Sequence, residues 1–140
     1  MLKTILVALD GSDLSQRVIQ TLHELQIQQA TKIILAHVIP PSESDMETAV
    51  DRPHPSEDLL YRDIEQQLQS YQAALLCQSE LEIVTGDPAE EIIRLAHIHQ
   101  ADLIVIGNRG LTGVKRILEG SVSSQVVIDA PCSVLVVKQE

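Results

Sequence analysis

Between Gly107 and Ser121 the chain gathers residues suited to holding an anion. Four of its six glycines, Gly107, Gly110, Gly113 and Gly120, fall in these 15 residues. Glycines at the end of a strand allow tight turns and let backbone N–H groups approach a ligand closely. Gly120-Ser121 stands where a helix is expected to begin. The first N–H groups of a helix have no intrahelical acceptor and carry partial positive charge, which makes a phosphate site, with Ser121 and Ser123 as further donors. From Gly107 to Gly120, Arg109, Lys115 and Arg116 stand against Glu119, a surplus of two positive charges. On the residues alone the segment reads as a phosphate cradle or as plain turns with Ser121 capping a helix. A second group, Ala8-Leu9-Asp10-Gly11-Ser12, closes the first apolar run and sets a carboxylate among small residues.

Other chemistries fit poorly. The chain lacks the G-x-x-x-x-G-K-[ST] pattern of P-loop ATPases and has no G-x-G-x-x-G after its first apolar run. A phosphoacceptor receiver would need an acid ending the third strand in chain order, and Val84-Thr85 stands there. His97 and His99 are two apart on a helix, so they face different directions and cannot share a metal. His37 closes a buried strand and reads as a structural histidine able to orient neighbouring backbone. His23 and His54 read as surface residues. Cys77 and Cys132 have no metal-type spacing and read as free thiols, Cys132 as a small buried apolar residue. Ser12 and Ser15 lie near Asp10, but helix capping accounts for Ser12. Glu90-Glu91 reads as favourable first-turn charge. No residue stands out as a base poised to activate water.

The elements that must position these residues follow from apolar periodicity. Thr4–Leu9, Lys32–Ile39, Leu103–Ile106 and Ser133–Val137 are nearly continuous aliphatic runs, as expected of parallel strands covered on both faces. Glu80 to Val84 begins with alternation, the mark of a half-exposed edge strand. Leu14, Val18, Leu22 and Leu25 predict a first helix behind Ser12. Leu60, Ile64, Leu68, Tyr71 and Leu75 predict a second after Ser56. Asp87-Pro88-Ala89-Glu90 is a strong helix start, a capping side chain followed by proline at the first helical position. Ile92, Leu95, Ala96 and His99 give that third helix a buried stripe. Ser121 to Asp129 predicts a fourth, stopped before Ala130-Pro131. The sum is a single α/β domain over residues 1–140, doubly wound, Rossmann or flavodoxin-like, with a five-stranded parallel sheet in the order 3-2-1-4-5. Residues 40–55, with Pro40, Pro41, Pro53 and Pro55, read as a mobile loop.

Composition bounds the function. The 140 residues carry 20 acidic and 10 basic side chains, a formal net charge of -10. That acidity, with no Phe or Trp to stack on bases, argues against nucleic acid. No apolar run is long enough to span a membrane, and Met1-Leu2-Lys3 runs directly into the first strand without the pattern of a signal peptide. A cytoplasmic location is expected. The charge is uneven. Residues 42–91 hold 13 acids against Arg52 and Arg62, a net of -11, whereas residues 1–41 sum to zero and residues 92–140 to +1. The negative charge therefore stands apart from the glycine segment and does not argue against a phosphorylated ligand.

At these residues the chain resembles the universal stress protein family, whose ATP-binding members carry G-x2-G-x9-G-[ST]. Gly107, Gly110, Gly120 and Ser121 match that spacing. Agreement extends to Ile5–Ser12, His37-Val38, Gly86-Asp87-Pro88 and Pro131–Val137. The resemblance implies ATP as ligand, with Ala8, Leu9 and Asp10 near the adenosine and the Asp10 carboxylate near the ribose or a metal. Val38 would meet the adenine edge through its backbone. Gly107, Asn108, Arg109, Gly110, Leu111 and Thr112 would wrap the ribose and phosphates, and Gly120, Ser121, Val122 and Ser123 would hold the phosphate tail. Mg²⁺ or Mn²⁺ is expected with the phosphates. The resemblance also implies a homodimer, or a higher homo-oligomer, paired through the edge strand at residues 133–137. The function it suggests is a cytoplasmic stress-response regulator or switch with at most slow ATP hydrolysis. Its rivals are a nucleotide hydrolase or adenylyl-transfer enzyme of the same fold, and a nucleotide-independent oligomeric scaffold.

Overall fold

The structure is a computed structural model, and it describes residues 3–10, 13–25, 27–28, 30–40, 55–108 and 122–138. Strands and helices alternate along the chain: β1 (Thr4–Ala8), α1 (Asp13–Glu24), β2 (Lys32–Ile39), α2 (Pro55–Ala73), β3 (Ser79–Thr85), α3 (Pro88–His99), β4 (Leu103–Asn108), α4 (Val122–Asp129) and β5 (Ser133–Lys138). The strands form one parallel sheet in the order β3-β2-β1-β4-β5. That is the expected order. Part of its cause is visible in the burial pattern, since the strand with alternating acids lies at one edge and the fully buried runs of β1, β2 and β4 lie inside.

Alternate residues of each strand feed two hydrophobic layers. Ile5, Val7, Leu9, Ile33, Leu35 and Val105 pack beneath Val18, Ile19 and Leu22 of α1 and Ile64 and Leu68 of α2. Leu6, Ile34, Ala36, Ile104 and Ile106 pack beneath Ala89, Ile92, Leu95 and Ala96 of α3 and Val126 of α4. Burying a large aliphatic side chain contributes about 1.5–3 kcal/mol, so these two layers are the main stabilising term. Asp102 fixes the amino end of the sheet: its carboxylate accepts the N–H groups of Lys3 and Thr4 at 2.9 and 3.0 Å.

Helix ends follow local chemistry. Asp87 caps α3 by accepting the Glu90 N–H at 3.1 Å, with Pro88 at the first helical position. Gln100 closes the helix in the left-handed region at φ 52°. Two stripe residues depart from expectation. Leu25 lies one residue past the end of α1 and is 43% exposed, while Ile19 takes a place in the core. Leu60 lies in the first turns of α2, before the helix meets the sheet at Ile64, and is 48% exposed. The second helix also begins at Pro55 and not after Ser56, because proline suits the first turn, where its missing N–H costs nothing. Ser12, and the 40–55 loop apart from Pro40 and Pro55, lie outside the described residues.

Candidate functional site

In an open parallel sheet, ligands sit beyond the carboxyl ends of the strands where the chain reverses its winding direction. Here the chain runs outward from β1 through β2 to β3, then crosses to β4 on the other side of β1. The crevice therefore opens between β1 and β4. Register fixes what lines it. Ala8 stands opposite Ala36 of β2 and Ile106 of β4. Leu9 and Asp10 thus leave β1 beside His37-Val38 on one flank and Gly107-Asn108 on the other. α4 follows β4 in the chain, so its first turn, Val122-Ser123, opens at this same end, with Ser123 buried and Val122 partly exposed. The structure brings together Ala8, Leu9, Asp10, Val38, Gly107 and Asn108, with Val122 and Ser123 at the head of α4. The remaining expected site residues, Arg109, Gly110, Leu111, Thr112, Gly120 and Ser121, lie outside the described residues.

Two contacts hold the end of β1, and the first is the backbone-orienting role expected of His37. His37 Nδ1 donates to the Leu9 carbonyl at 2.9 Å. Ser15, buried in α1, donates to Asp10 Oδ1 at 3.4 Å. Burial pushes the His37 imidazole below its ordinary pKa, against the Leu9 hydrogen bond and the Asp10 carboxylate, which both pull it up. Neutral His37 is the resting form at neutral pH. A signal for this contact was available, because parallel winding places the residues that end β1 and β2 side by side. Arg17 of α1 also reaches this end, donating from Nε to the Lys138 carbonyl at 2.7 Å.

The other histidines and the cysteines stand apart. His99 meets Glu82 at 3.3 Å beside the β3 edge. Cys77 lies on a groove of about 160 Å³ with Leu22, His23, Ile27, Ile33, Leu75 and Leu76, at the opposite end of the sheet. Burial pushes the thiols of both Cys77 and Cys132 up, which leaves them poor nucleophiles. Among the described residues no group of three or more His, Cys, Asp or Glu is placed to hold a metal ion. None of the described helices is long and apolar enough to cross a membrane.

A doubly wound parallel sheet whose winding reverses between β1 and β4 defines an α/β protein of the flavodoxin-like class, and comparison with known proteins narrows it. Residues 1–138 match the universal stress protein family, and the chain belongs to that family. It is 33% identical to the universal stress protein in the QAH/OAS sulfhydrylase 3′ region of Thermus aquaticus, over 99% of this chain and 100% of that one. Among solved structures it is similar to hypothetical protein MJ0577, with a TM-score of 0.83 and 29% identity over 100% of this chain and 98% of that one. It is also similar to a universal stress protein solved in complex with cAMP, with a TM-score of 0.72 and 27% identity over 98% and 97% of the two chains.

Proposed function

We propose that this chain binds ATP at the carboxyl ends of β1 and β4 and serves as a cytoplasmic stress-response regulator or switch. The observation that carries the reading is the meeting of Leu9-Asp10, Val38 and Gly107-Asn108 at the switch point, directly continuous in sequence with the glycine segment. The cAMP complex of a relative with the same fold supports a nucleotide as the ligand class. Ala8, Leu9 and Asp10 meet the adenosine, with the Asp10 carboxylate accepting from the ribose hydroxyls. The Val38 backbone meets the adenine edge. The glycine segment and the first turn of α4 take the phosphates.

The donor set suits a hard cation only in part. Asp10 offers oxygen, and the phosphates themselves supply the other ligands that Mg²⁺ or Mn²⁺ prefers. Asp10 and the phosphates would hold such a cation, which would offset phosphate charge. No residue of the sequence stands out as a base for activating water, so ATP acts as a bound signal and hydrolysis is slow at most. The chain pairs as a homodimer through the outer edge of β5.

Calorimetry with ATP on nucleotide-stripped protein tests the site. Saturable binding is expected in the parent chain, and Gly110→Trp, which blocks backbone approach to the phosphates, should weaken it by at least about a hundredfold. Equal affinity in both proteins would remove the site. With no Trp and two Tyr in the chain, co-purified adenine nucleotide would also show as an absorbance maximum near ~260 nm that is lost on denaturation and filtration, since aromatic side chains scarcely mask it. Steady turnover abolished by Asp10→Asn would make the protein a hydrolase instead.

A further inference from the structure

The carboxyl end of β1 is held by side chains from two other elements. His37, 28 residues on and in β2, donates its Nδ1–H to the Leu9 carbonyl at 2.9 Å. The Leu9 N–H donates to the Ala36 carbonyl at 2.8 Å. Both backbone polar groups of Leu9 are thus tied to β2, one residue beyond the last regular pair of the β1–β2 ladder. A carbonyl can only accept, so the contact also fixes a proton on Nδ1 and orients the ring. Ser15 of α1, 1% exposed, donates to Asp10 Oδ1 at 3.4 Å. The peptide that carries Asp10 and the carboxylate itself are each restrained from a different direction.

Such restraint matters for recognition of a diol. A carboxylate presents two oxygens, each able to accept from more than one donor, so a bond from Ser15 does not by itself exclude a ligand hydroxyl. Two adjacent hydroxyls can be read as a pair only if the carboxylate plane is set before the ligand arrives. Groups held within a fraction of an ångström by their neighbours provide that setting. An aspartate at an untethered strand end would have to lose rotamer freedom at every binding event.

We infer that His37 and Ser15 are positioning residues that preset the Asp10 carboxylate to read the 2′,3′-diol of a ribonucleotide. The inference rests on the nucleotide site proposed above and assigns its selectivity for ribose over deoxygenated sugars.

Calorimetry with ATP and with 2′,3′-dideoxy-ATP tests it on the intact protein and on His37→Leu, His37→Asn and Ser15→Ala, with urea midpoints recorded for each. The parent chain should prefer ATP by about tenfold or more, as expected where a site hydrogen-bonds a ligand hydroxyl. His37→Leu should cut that preference to about threefold or less while leaving dideoxy-ATP affinity within about twofold, as loss of a supporting hydrogen bond does. His37→Asn keeps a side-chain N–H near the Leu9 carbonyl and should restore the preference. An equal loss for both ligands in His37→Leu, or an asparagine variant that behaves like the leucine one, would overturn the positioning role. If His37→Leu does not fold, Ser15→Ala reads the same ratio through the other restraint. Absence of any ATP binding by the parent chain would sink the nucleotide site itself. Equal binding of the two nucleotides would leave that site standing and refute the diol reading.

Discussion

The two edges of the sheet follow opposite rules. On β3, Glu80 and Glu82 interrupt the aliphatic pattern; Glu80 pairs with Lys32 at 2.7 Å and Glu82 with His99 at 3.3 Å. On β5, Val134, Leu135, Val136 and Val137 run without a break between Ser133 and Lys138. Above β5, α4 leaves Val127 and Ile128 exposed, the latter by 77%. An edge strand offers a row of unsatisfied N–H and C=O groups, and charge on the edge discourages another chain from adding to it. The β3 edge thus carries a charged guard against pairing, and the β5 edge carries none between Ser133 and Lys138. The same division locates the charge imbalance. α2, β3 and the start of α3 belong to the acidic stretch 42–91, whereas β4, α4 and β5 belong to the near-neutral remainder. The part of the chain that follows α3 carries the apolar edge and little net charge.

The largest effect should come from giving β5 the character of β3. Val134→Glu combined with Val136→Glu copies the Glu80 and Glu82 alternation onto the opposite edge. Sedimentation of the parent chain at micromolar concentration should show a dimer, and the double variant a monomer, with association weakened by at least about a hundredfold since facing like charges cost several kcal/mol. A parent chain that sediments as a monomer would break the comparison, leaving the β5 edge without its cover. The reciprocal change, Glu80→Val with Glu82→Val, should add a further concentration-dependent association beyond the parent's dimer.

A smaller effect is expected where β3 ends. Gly86 has φ +154°, a region that side-chain-bearing residues rarely adopt, and a Cβ there would stand 2.8 Å from Cγ of Glu91. Its N–H meanwhile bonds the Ile39 carbonyl at 3.0 Å, so the backbone cannot simply swing away. Gly86→Ala should therefore lower the unfolding free energy by about 1–2 kcal/mol. Urea unfolding checks this, and adding Glu91→Ala should recover only the part due to crowding. Full recovery would mean that the backbone angle carries no strain.

The edge comparison also shows why much of the fold could be read directly. Continuous Ile, Leu and Val runs demand cover on two faces, which marks the parallel strands of a doubly wound sheet, and the alternating β3 was readable as an edge. β5 was harder, because its apolar run resembles an interior strand, and only the connection order placed it outside. The stripe errors at Leu25 and Leu60 share a cause. Periodicity marks a face but not where a helix stops touching its sheet. At the site, Asp10 and Gly107 were legible because strand ends at a switch point are set by topology alone. The His37 contact with Leu9 depends on side-chain direction across two strands, and the Ser15 contact with Asp10 on how α1 docks. Neither is written in local pattern.

The smallest effects separate an exposed ion pair at the β3 edge from a backbone-anchored carboxylate at the sheet's amino end. The Lys32 hydrogen bond holds the Glu80 carboxyl below its ordinary pKa. The N–H groups of Thr4 and Lys3 do the same for Asp102. For a carboxyl whose folded pKa is depressed, the stabilisation is present above the unfolded pKa and is lost as pH falls through the folded one. Both contributions should therefore be intact at neutral pH and fade below about pH 4. Salt distinguishes them. Lys32 and Glu80 expose 36% and 46% of their side chains, so near 1 M salt, where screening acts over about 3 Å, the effect of Lys32→Met on the urea midpoint should largely vanish. Asp102 accepts from main-chain N–H groups fixed by the β1–β4 pairing, so the effect of Asp102→Asn should survive salt and yield only to acid. A Lys32→Met effect as salt-resistant as that of Asp102→Asn would mean that the β3 edge is anchored structurally and not merely guarded by charge.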